Sequence, residues 1–385
     1  MKFNDFVGTV EFDVSHLHTF VRNWFSPDDL VVLTGISVDT PNKRVLSQTI
    51  PARELVEITA EELEAICHES GTRYNTYLSC FPVKEDNSVS DNVYARGNKD
   101  DIREIFGVYA DLDVKEGCFE SKEEIRDYLY SLEAPPTMIV DNGKYGGVHA
   151  YWRLHRGLST TEDELLMWWC YLNSKTDKNI DRLQDSTRML RLPSGIYWKT
   201  GGSDTVRLAV NTGRTYSVED LRALSEGPYE ERKRQINETI NREHASRQEI
   251  GPMAVEIFSK YNDTGYNKWS TRLAISKLEQ IINDSLTWDE ILAPHGWTHL
   301  RELRDGAHEW ARPGQFRRSA VTDFSYDGAK SSNVMSLLSQ SPDTGLLDLL
   351  DARIPLTKYR VYLRLSYRDD EVAMLNGMRS RIFRK

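Results

Sequence analysis

The chain has no long apolar run. No window approaches the roughly 20 apolar residues that a membrane-spanning helix needs, so a transmembrane helix is excluded and no membrane partner is expected. The opening residues, Met1-Lys-Phe-Asn-Asp-Phe6, lack a basic stretch followed by an apolar one, and no secretory leader is expected. Cysteine is scarce: Cys67, Cys80, Cys118 and Cys170 lie far apart, with no Cys-x-x-Cys pair. A disulfide scaffold does not fit that density, and the expectation is reduced thiols in a cytoplasmic protein. Cys67, His68 and Cys80 are zinc-ligand types, but no convincing fourth ligand accompanies them. No Gly-x-x-x-x-Gly-Lys-Ser/Thr phosphate loop occurs, which argues against an ATP-driven motor. Internal repeats and long low-complexity tracts are also missing.

Large apolar side chains are plentiful. The 385 residues include 9 Trp, 18 Tyr and 12 Phe, enough for a sizeable core, and the length predicts two domains, with three as the upper bound. The net charge of −10 argues against a protein that coats nucleic acid by bulk charge. A local basic groove is still allowed, because binding follows the local field. Residues 352–385 hold nine Lys and Arg against Asp369, Asp370 and Glu371, so this basic tail is either a solvated face or a contact for DNA or a partner.

Residues 1–215 alternate between helix and strand signals. Val31–Ser37 and Tyr74–Phe81 read as strands. Thr59-Ala-Glu-Glu62 opens a helix with a capping box, with Ile58 and Leu63 as its hydrophobic staple. Phe106–Asp113 is an apolar run ending in acids and reads as a central strand. Ser121-Lys-Glu-Glu124 caps a helix that Pro135-Pro136 ends. Thr137–Val140 and Val148–Leu154 flank the glycine-rich Asn142–Gly147, which predicts a hairpin. Thr161 to about Leu172 is helical, and Met189–Pro193 starts another strand. This order predicts an α+β sheet with helices on one face. Residues 216–250 are highly charged and read as a helical linker; residues 251–385 regain aromatics and read as a small, mainly helical second domain, with a capping box at Thr287-Trp-Asp-Glu290.

Three groups of residues carry chemistry. Asp111-Leu-Asp113 closes an apolar strand, where alternate side chains share a face. The two carboxylates then stand about 7 Å apart at their roots, with Leu112 turned the other way. Such a pair can grip one or two divalent cations, and two ions about 3.5–4 Å apart suit an in-line attack on phosphorus. His149 follows the glycine-rich turn, and its imidazole can donate to phosphate oxygens. Ile180-Asp181 offers a third acid, with Asp185 as its rival; Asp185 also reads as a turn cap or an ion-pair partner of Arg188. Arg188, Arg191 and Lys199 are cations fit for phosphate contacts, and Pro193-Ser-Gly195 reads as a turn that brings Lys199 back toward the sheet. Each pattern alone has a plain alternative: a surface acid pair, a structural histidine, or ordinary surface cations.

In this order the residues resemble the archaeo-eukaryotic primase superfamily, and within it the RepB-like primase-polymerases of phages and plasmids. Val108-Tyr-Ala-Asp111-Leu-Asp113 matches the acidic pair, Gly146-Gly-Val-His149-Ala-Tyr-Trp152 the His-bearing strand, and Ile180-Asp181 with Arg188, Arg191-Leu-Pro-Ser-Gly195 and Lys199 the third motif. Pro-Ser-Gly stands where Pro-Gly-Thr is usual, and Tyr197-Trp198 where an Asn is often found. The resemblance spans about residues 70–200. It implies an RRM-like mixed or antiparallel sheet flanked by helices. It also implies a DNA primase and polymerase that uses NTPs or dNTPs on a single-stranded DNA template. Mg²⁺ or Mn²⁺ would sit on Asp111, Asp113 and Asp181, and His149, Arg188, Arg191 and Lys199 would hold the nucleotide. Arg96, Lys99 and Arg103 precede the acidic strand and are candidates for the DNA groove. Pro294-His-Gly-Trp297, Glu309-Trp-Ala-Arg-Pro-Gly314 and Thr357-Lys-Tyr-Arg-Val-Tyr362 resemble a module that joins phage primases to a helicase, which implies a separate helicase partner. The rival readings are a Mn²⁺-dependent glycosyltransferase, a metal-dependent nuclease and a replication initiator without synthesis.

Overall fold

A computed structural model describes the chain apart from residues 1–11, 39–43, 70, 92–96, 116, 145, 183–184, 200–201, 262–270, 327–328, 340–343 and 383–385. The chain divides into two units, Met1–Glu230 and Glu231–Lys385. In the first unit the order is α1 (Ser15–Trp24), β1 (Leu30–Ser37), β2 (Val45–Pro51), α2 (Ala52–Glu57), α3 (Ala60–Cys67), β3 (His68–Glu69), β4 (Thr72–Ser79) and α4 (Ser88–Asp91). There follow β5 (Gly107–Leu112), α5 (Lys122–Ser131), β6 (Met138–Asp141), β7 (Val148–Leu154) and α6 (Glu162–Ser174). The unit closes with β8 (Met189–Arg191), β9 (Ile196–Lys199), β10 (Gly202–Thr205), β11 (Arg207–Asn211) and β12 (Thr215–Tyr216). The charged stretch over 216–250 lies almost wholly in one helix, α7 (Val218–Tyr261).

The fold is mixed α+β, with mostly antiparallel ladders. The strands divide between two main sheets, which the sequence did not show. The first runs β2-β1-β4, with β8 and the short β3 both paired to β4. The second runs β11-β6-β7, with β5 on the other side of β7 and β12 in a short parallel pairing at its far end. β9 and β10 form a ribbon of their own. The run over Phe106–Asp113, expected as a central strand, pairs only with β7 among the described strands, so it is an edge strand. Its apolar character comes from burial: Val108, Tyr109, Ala110 and Leu112 are all core residues, and α6 packs on it.

Local chemistry explains the element starts. Thr59 Oγ1 accepts from Glu62 N at 3.2 Å, and Glu62 Oε2 accepts from Thr59 N at 2.9 Å, so the expected capping box opens α3. Ser121 caps α5 through Glu124 N, while the Glu124 carboxylate accepts from Glu120 N. α5 stops at Ser131, ahead of Pro135-Pro136. The β6–β7 hairpin forms as expected, and β7 is buried at all its positions. A single core of the first unit includes Leu17, Trp24, Phe81, Phe106, Trp152 and Trp168.

In the second unit, α8 (Thr271–Ser285) and α9 (Trp288–Leu292) precede β13 (Thr298–Glu302), β14 (His308–Ala311), β15 (Ala320–Tyr326) and β16 (Ala329–Leu337). Then come α10 (Leu347–Asp351), α11 (Lys358–Tyr367) and α12 (Glu371–Ile382). Helices dominate it, and the capping box at Thr287 and Glu290 opens α9. The antiparallel four-stranded sheet β13–β16 was not foreseen from the sequence. None of the described helices is long and apolar enough to cross a membrane.

Candidate active site

The site is built on the β5–β7 ladder. Asp111 stands directly opposite His149 in that ladder, so both side chains share one face. Asp111 Oδ1 lies 3.6 Å from His149 Nε2. The next pair is Leu112 with Val148, and there the hairpin turn closes tightly on the end of β5. A Cβ on Gly147 would fall 2.0 Å from Leu112 O and 2.9 Å from Asp113 Cα, so only glycine fits.

Asp113 leaves the strand and starts a loop to Phe119. That loop is tied by Phe119 N to Asp113 O (3.3 Å), Lys115 N to Phe119 O (3.2 Å) and Cys118 N to Lys115 O (2.9 Å). Asp181 reaches the same place from a distant part of the chain. Asn179 donates twice to Gly117 O, from its backbone N at 3.1 Å and from Nδ2 at 3.0 Å. Ile180 is buried, and its carbonyl accepts from Trp169 Nε1 at 3.1 Å. These anchors deliver Asp181 to Asp113. One ammonium joins the two acids: Lys115 Nζ is 2.5 Å from Asp113 Oδ2 and 3.5 Å from Asp181 Oδ1. Sequence reasoning missed Lys115, Asn179 and Gly117. Only the short spacing of Lys115 from Asp113 could have hinted at it.

β8 brings the cations from the first sheet. Arg188 N–H donates to Asp111 Oδ2 at 3.5 Å. Arg191 Cζ lies over the Tyr197 ring, 3.7 Å from its centroid, and the buried Nε has no hydrogen-bond partner. Asp185 serves elsewhere, as a turn cap, because its Oδ1 accepts from Thr187 N (3.0 Å) and Thr187 Oγ1 (2.6 Å). Asp185 O also accepts from Tyr109 O–H, tying this turn to β5. The structure therefore gathers Asp111, Asp113, Asp181, His149, Arg188 and Arg191, and sets Asp181 rather than Asp185 beside Asp113. Lys199 sits at the exposed end of β9, 5.9 Å from the Tyr197 ring centroid.

The proposed groove cations fare differently. Arg103 is paired with the buried Asp29 and with Glu104, and Lys99 with Glu162. Arg96 lies outside the described residues. In the basic tail, Arg360 pairs with Glu243, Arg364 with Asp348 and Asp369, and Lys358 Nζ donates to Asn283 O at 3.3 Å. These three cations of the tail are engaged within the second unit.

The electrostatics are those of crowded acids, with Asp111 the most enclosed at 16 % exposed and Asp113 and Asp181 about a third exposed. Burial first, then the charges of Asp113 and Asp181, push the Asp111 carboxyl up to about 6, against the opposing pull of Arg188 and Arg191. Burial, aided by Arg191 and Arg188, holds His149 well below the usual histidine range, so its ring is neutral. Asn142 Nδ2 lies in hydrogen-bond contact with His149 Nε2 at 2.8 Å, which leaves Nδ1 as the other ring nitrogen. That nitrogen is buried without a partner. Only 1 % of His149 is exposed. The ring therefore brings no positive charge to the site.

The donor set fits Mg²⁺ or Mn²⁺ in kind, because hard divalent cations take carboxylate oxygens and the crowding at Asp111 is relieved by positive charge. Among the described residues, no three His, Cys, Asp or Glu side chains stand ready to close on one ion, and Lys115 holds the place between Asp113 and Asp181. The zinc alternative is not supported. Cys67 and Cys80 are buried core residues, and burial raises both thiols. The four cysteines form no disulfide.

No family model matches the chain, and no curated protein does. Two solved structures are similar to it. The crystal structure of primase RepB' shares 13% identity with a TM-score of 0.40, over 71% of this chain and 84% of that one. The catalytic domain of primase RepB' in complex with initiator DNA shares 13% identity with a TM-score of 0.35, over 57% of this chain and 98% of that one. A likeness at that level leaves the function to the geometry of the site itself.

Proposed function

We propose that the first unit is the catalytic domain of a DNA primase and polymerase, which joins nucleotides on a single-stranded DNA template in phage or plasmid replication. One observation carries the reading. Asp111, Asp113 and Asp181 are brought together from two distant stretches of chain, crowded enough to raise Asp111 to about 6, with Arg188 and Arg191 beside them. Acids of this kind next to guanidinium groups suit a triphosphate and its cations. The motif order from Asp111 through Lys199 supports the same reading.

In this proposal Asp111, Asp113 and Asp181 hold Mg²⁺ or Mn²⁺. When bound, the metal supplies the Lewis acidity that lowers the pKa of a 3′-hydroxyl and offsets triphosphate charge. Arg188 and Arg191 bind phosphate oxygens, and the Tyr197 ring under the Arg191 guanidinium helps hold it in place. His149 is assigned to the nucleotide's phosphates and packs beside Asp111. Lys199 is a further phosphate contact. The motifs of the second unit extend the proposal to a separate helicase partner.

The test mixes the purified chain with single-stranded DNA, Mg²⁺ or Mn²⁺ and labelled nucleotides, in one arm without primer and in one with a primed template. New oligonucleotides that vanish with Asp111→Ala and Asp113→Ala are expected; growth of the primed template adds the polymerase. An active Asp111→Ala chain sinks the assignment. Loss of the DNA points to a nuclease, turnover of a nucleotide sugar to a glycosyltransferase, and DNA binding without either to an initiator.

A further inference from the structure

Lys115 stands between two of the three acids that the proposed function gives to the metal. Its ammonium already neutralises Asp113 and Asp181, at 2.5 Å and 3.5 Å. A divalent cation on those carboxylates would meet the ammonium at close range, and two positive groups in one small volume repel strongly. The main chain at Lys115 is fixed by its hydrogen bonds to Phe119 and Cys118, so the side chain is the part free to move. It has room to do so. Lys115 lines a cleft of about 600 Å³ that opens beside the loop, and the same cleft is lined by Glu120 and Asp177. Glu120 and Asp177 thus offer carboxylates to a lysine that swings out, in the company of Lys178, whose ammonium pairs with Glu124 at 3.2 Å and already lies in the field of both.

We propose that Lys115 is a two-position counter-ion: between Asp113 and Asp181 when the acids are metal-free, and in the cleft against Glu120 and Asp177 when a divalent cation takes its place. The inference rests on the metal role given to the three acids. In the metal-free chain Lys115 keeps the carboxylates from repelling one another. On loading it sets a threshold that the cation must overcome. A lysine retained in the cleft beside the site also stays close to any bound triphosphate. Lys115 is thus a positioning residue for the metal, and its effect is read in binding, without turnover.

The experiment measures Mn²⁺ binding to the full chain by electron paramagnetic resonance, with no nucleotide present. Lys115→Gln removes the competitor and should tighten Mn²⁺ on the order of tenfold. Glu120→Gln with Asp177→Asn removes the second berth. It should weaken Mn²⁺ several-fold in the native background and change nothing in the Lys115→Gln background. Lys115→Arg keeps the charge and should bind Mn²⁺ as the native chain does, which preserves the test if Lys115→Gln fails to fold. Unchanged or weaker binding by Lys115→Gln overturns the proposal. So does tighter binding by Lys115→Arg, or equal weakening by the cleft pair in both backgrounds, since a plain field effect would produce that. In those cases the native chain still binds Mn²⁺ and the metal reading stands. Absence of Mn²⁺ binding in both native and Lys115→Gln chains brings down the metal reading itself.

Discussion

Asp111 and His149 face each other across the β5–β7 ladder, 3.6 Å apart, yet they do not form a charged pair near neutral pH. Burial pushes the carboxyl up to about 6 and holds the imidazole well below its usual range. Near neutral pH, then, Asp111 is ionised and His149 neutral. The negative charge is left to Arg188, at 3.5 Å, and to whatever cation binds. A core that only needed stability would not leave a carboxylate so placed.

Replacing Asp111 with Asn should therefore separate stability from function. The amide keeps the shape and loses the buried charge. In EDTA the variant should be more stable than the native chain at neutral pH, by up to about 3 kcal/mol, the free energy that corresponds to the raised carboxyl. Mn²⁺ binding and nucleotide transfer should both be lost. Urea melts and metal titration check the two halves; a variant less stable in EDTA that still binds Mn²⁺ contradicts the electrostatic account.

The pH dependence has a definite sign. Below the ordinary value of 3.8, Asp111 is protonated in the folded and unfolded chain alike and costs nothing. As pH rises toward about 6 the folded chain holds more protons than the unfolded one, so this group makes stability fall; above about 6 the full cost is present. The stability gap between the Asn variant and the native chain should thus close as pH is lowered from neutral to about 4. Protons also compete with metal for the carboxylate, so Mn²⁺ affinity should drop as pH falls through about 6. A gap that stays constant over that window would rule out Asp111 as its source.

Much of the site was legible in the sequence because it depends on residue type and order. Asp111-Leu-Asp113 ends an apolar run, Asp181, Arg188 and Arg191 follow in the order the resemblance implies, and the hairpin carrying His149 announces itself by Asn142–Gly147. What stayed hidden depends on long-range pairing. Nothing local shows that β8 joins β4, with Arg191 opposite Tyr77, while β5 joins β7 in another sheet. The run over Phe106–Asp113 reads as central because burial on both faces looks the same whether strands or a helix provide it. The choice between Asp181 and Asp185 turns on Asn179 meeting Gly117, a contact with no periodic mark. Lys115 reads as an ordinary exposed lysine until its two acids are seen around it, and Arg103 reads as a free cation until Asp29 is seen to hold it.

The close approach of the hairpin turn to β5 gives a steric prediction. Gly147→Ala places a methyl 2.0 Å from Leu112 O, against main chain rather than the end of a flexible side chain. The turn and the end of β5 must separate, and the residue that moves with them is Asp113. We expect a loss of about 2 kcal/mol or more in stability, together with weakened Mn²⁺ binding. Alanine at the exposed Gly213, with φ 65° and open space around it, should strain only its own turn and leave the metal site alone. Equal Mn²⁺ affinity in both variants would show that the Gly147 contact does not position the acids.

The link between Asn179 and Gly117 should matter more for function than for stability. Asn179→Ala removes the side-chain hydrogen bond of 3.0 Å to Gly117 O and keeps the backbone bond of 3.1 Å to the same oxygen. The loss in global stability should be about 1 kcal/mol, the scale of one partly exposed hydrogen bond. Asp181, two residues on, loses half of what fixes it against the Asp113 loop, while buried Ile180 and the Trp169 bond still hold the chain nearby. Mn²⁺ affinity should fall several-fold, and the defect should be absent when Asp181 is already Asn, because nothing remains to be positioned. Measuring Mn²⁺ binding in the single and double variants decides it. A defect that adds in full to that of Asp181→Asn would mean that Asn179 acts by some route other than placing this carboxylate.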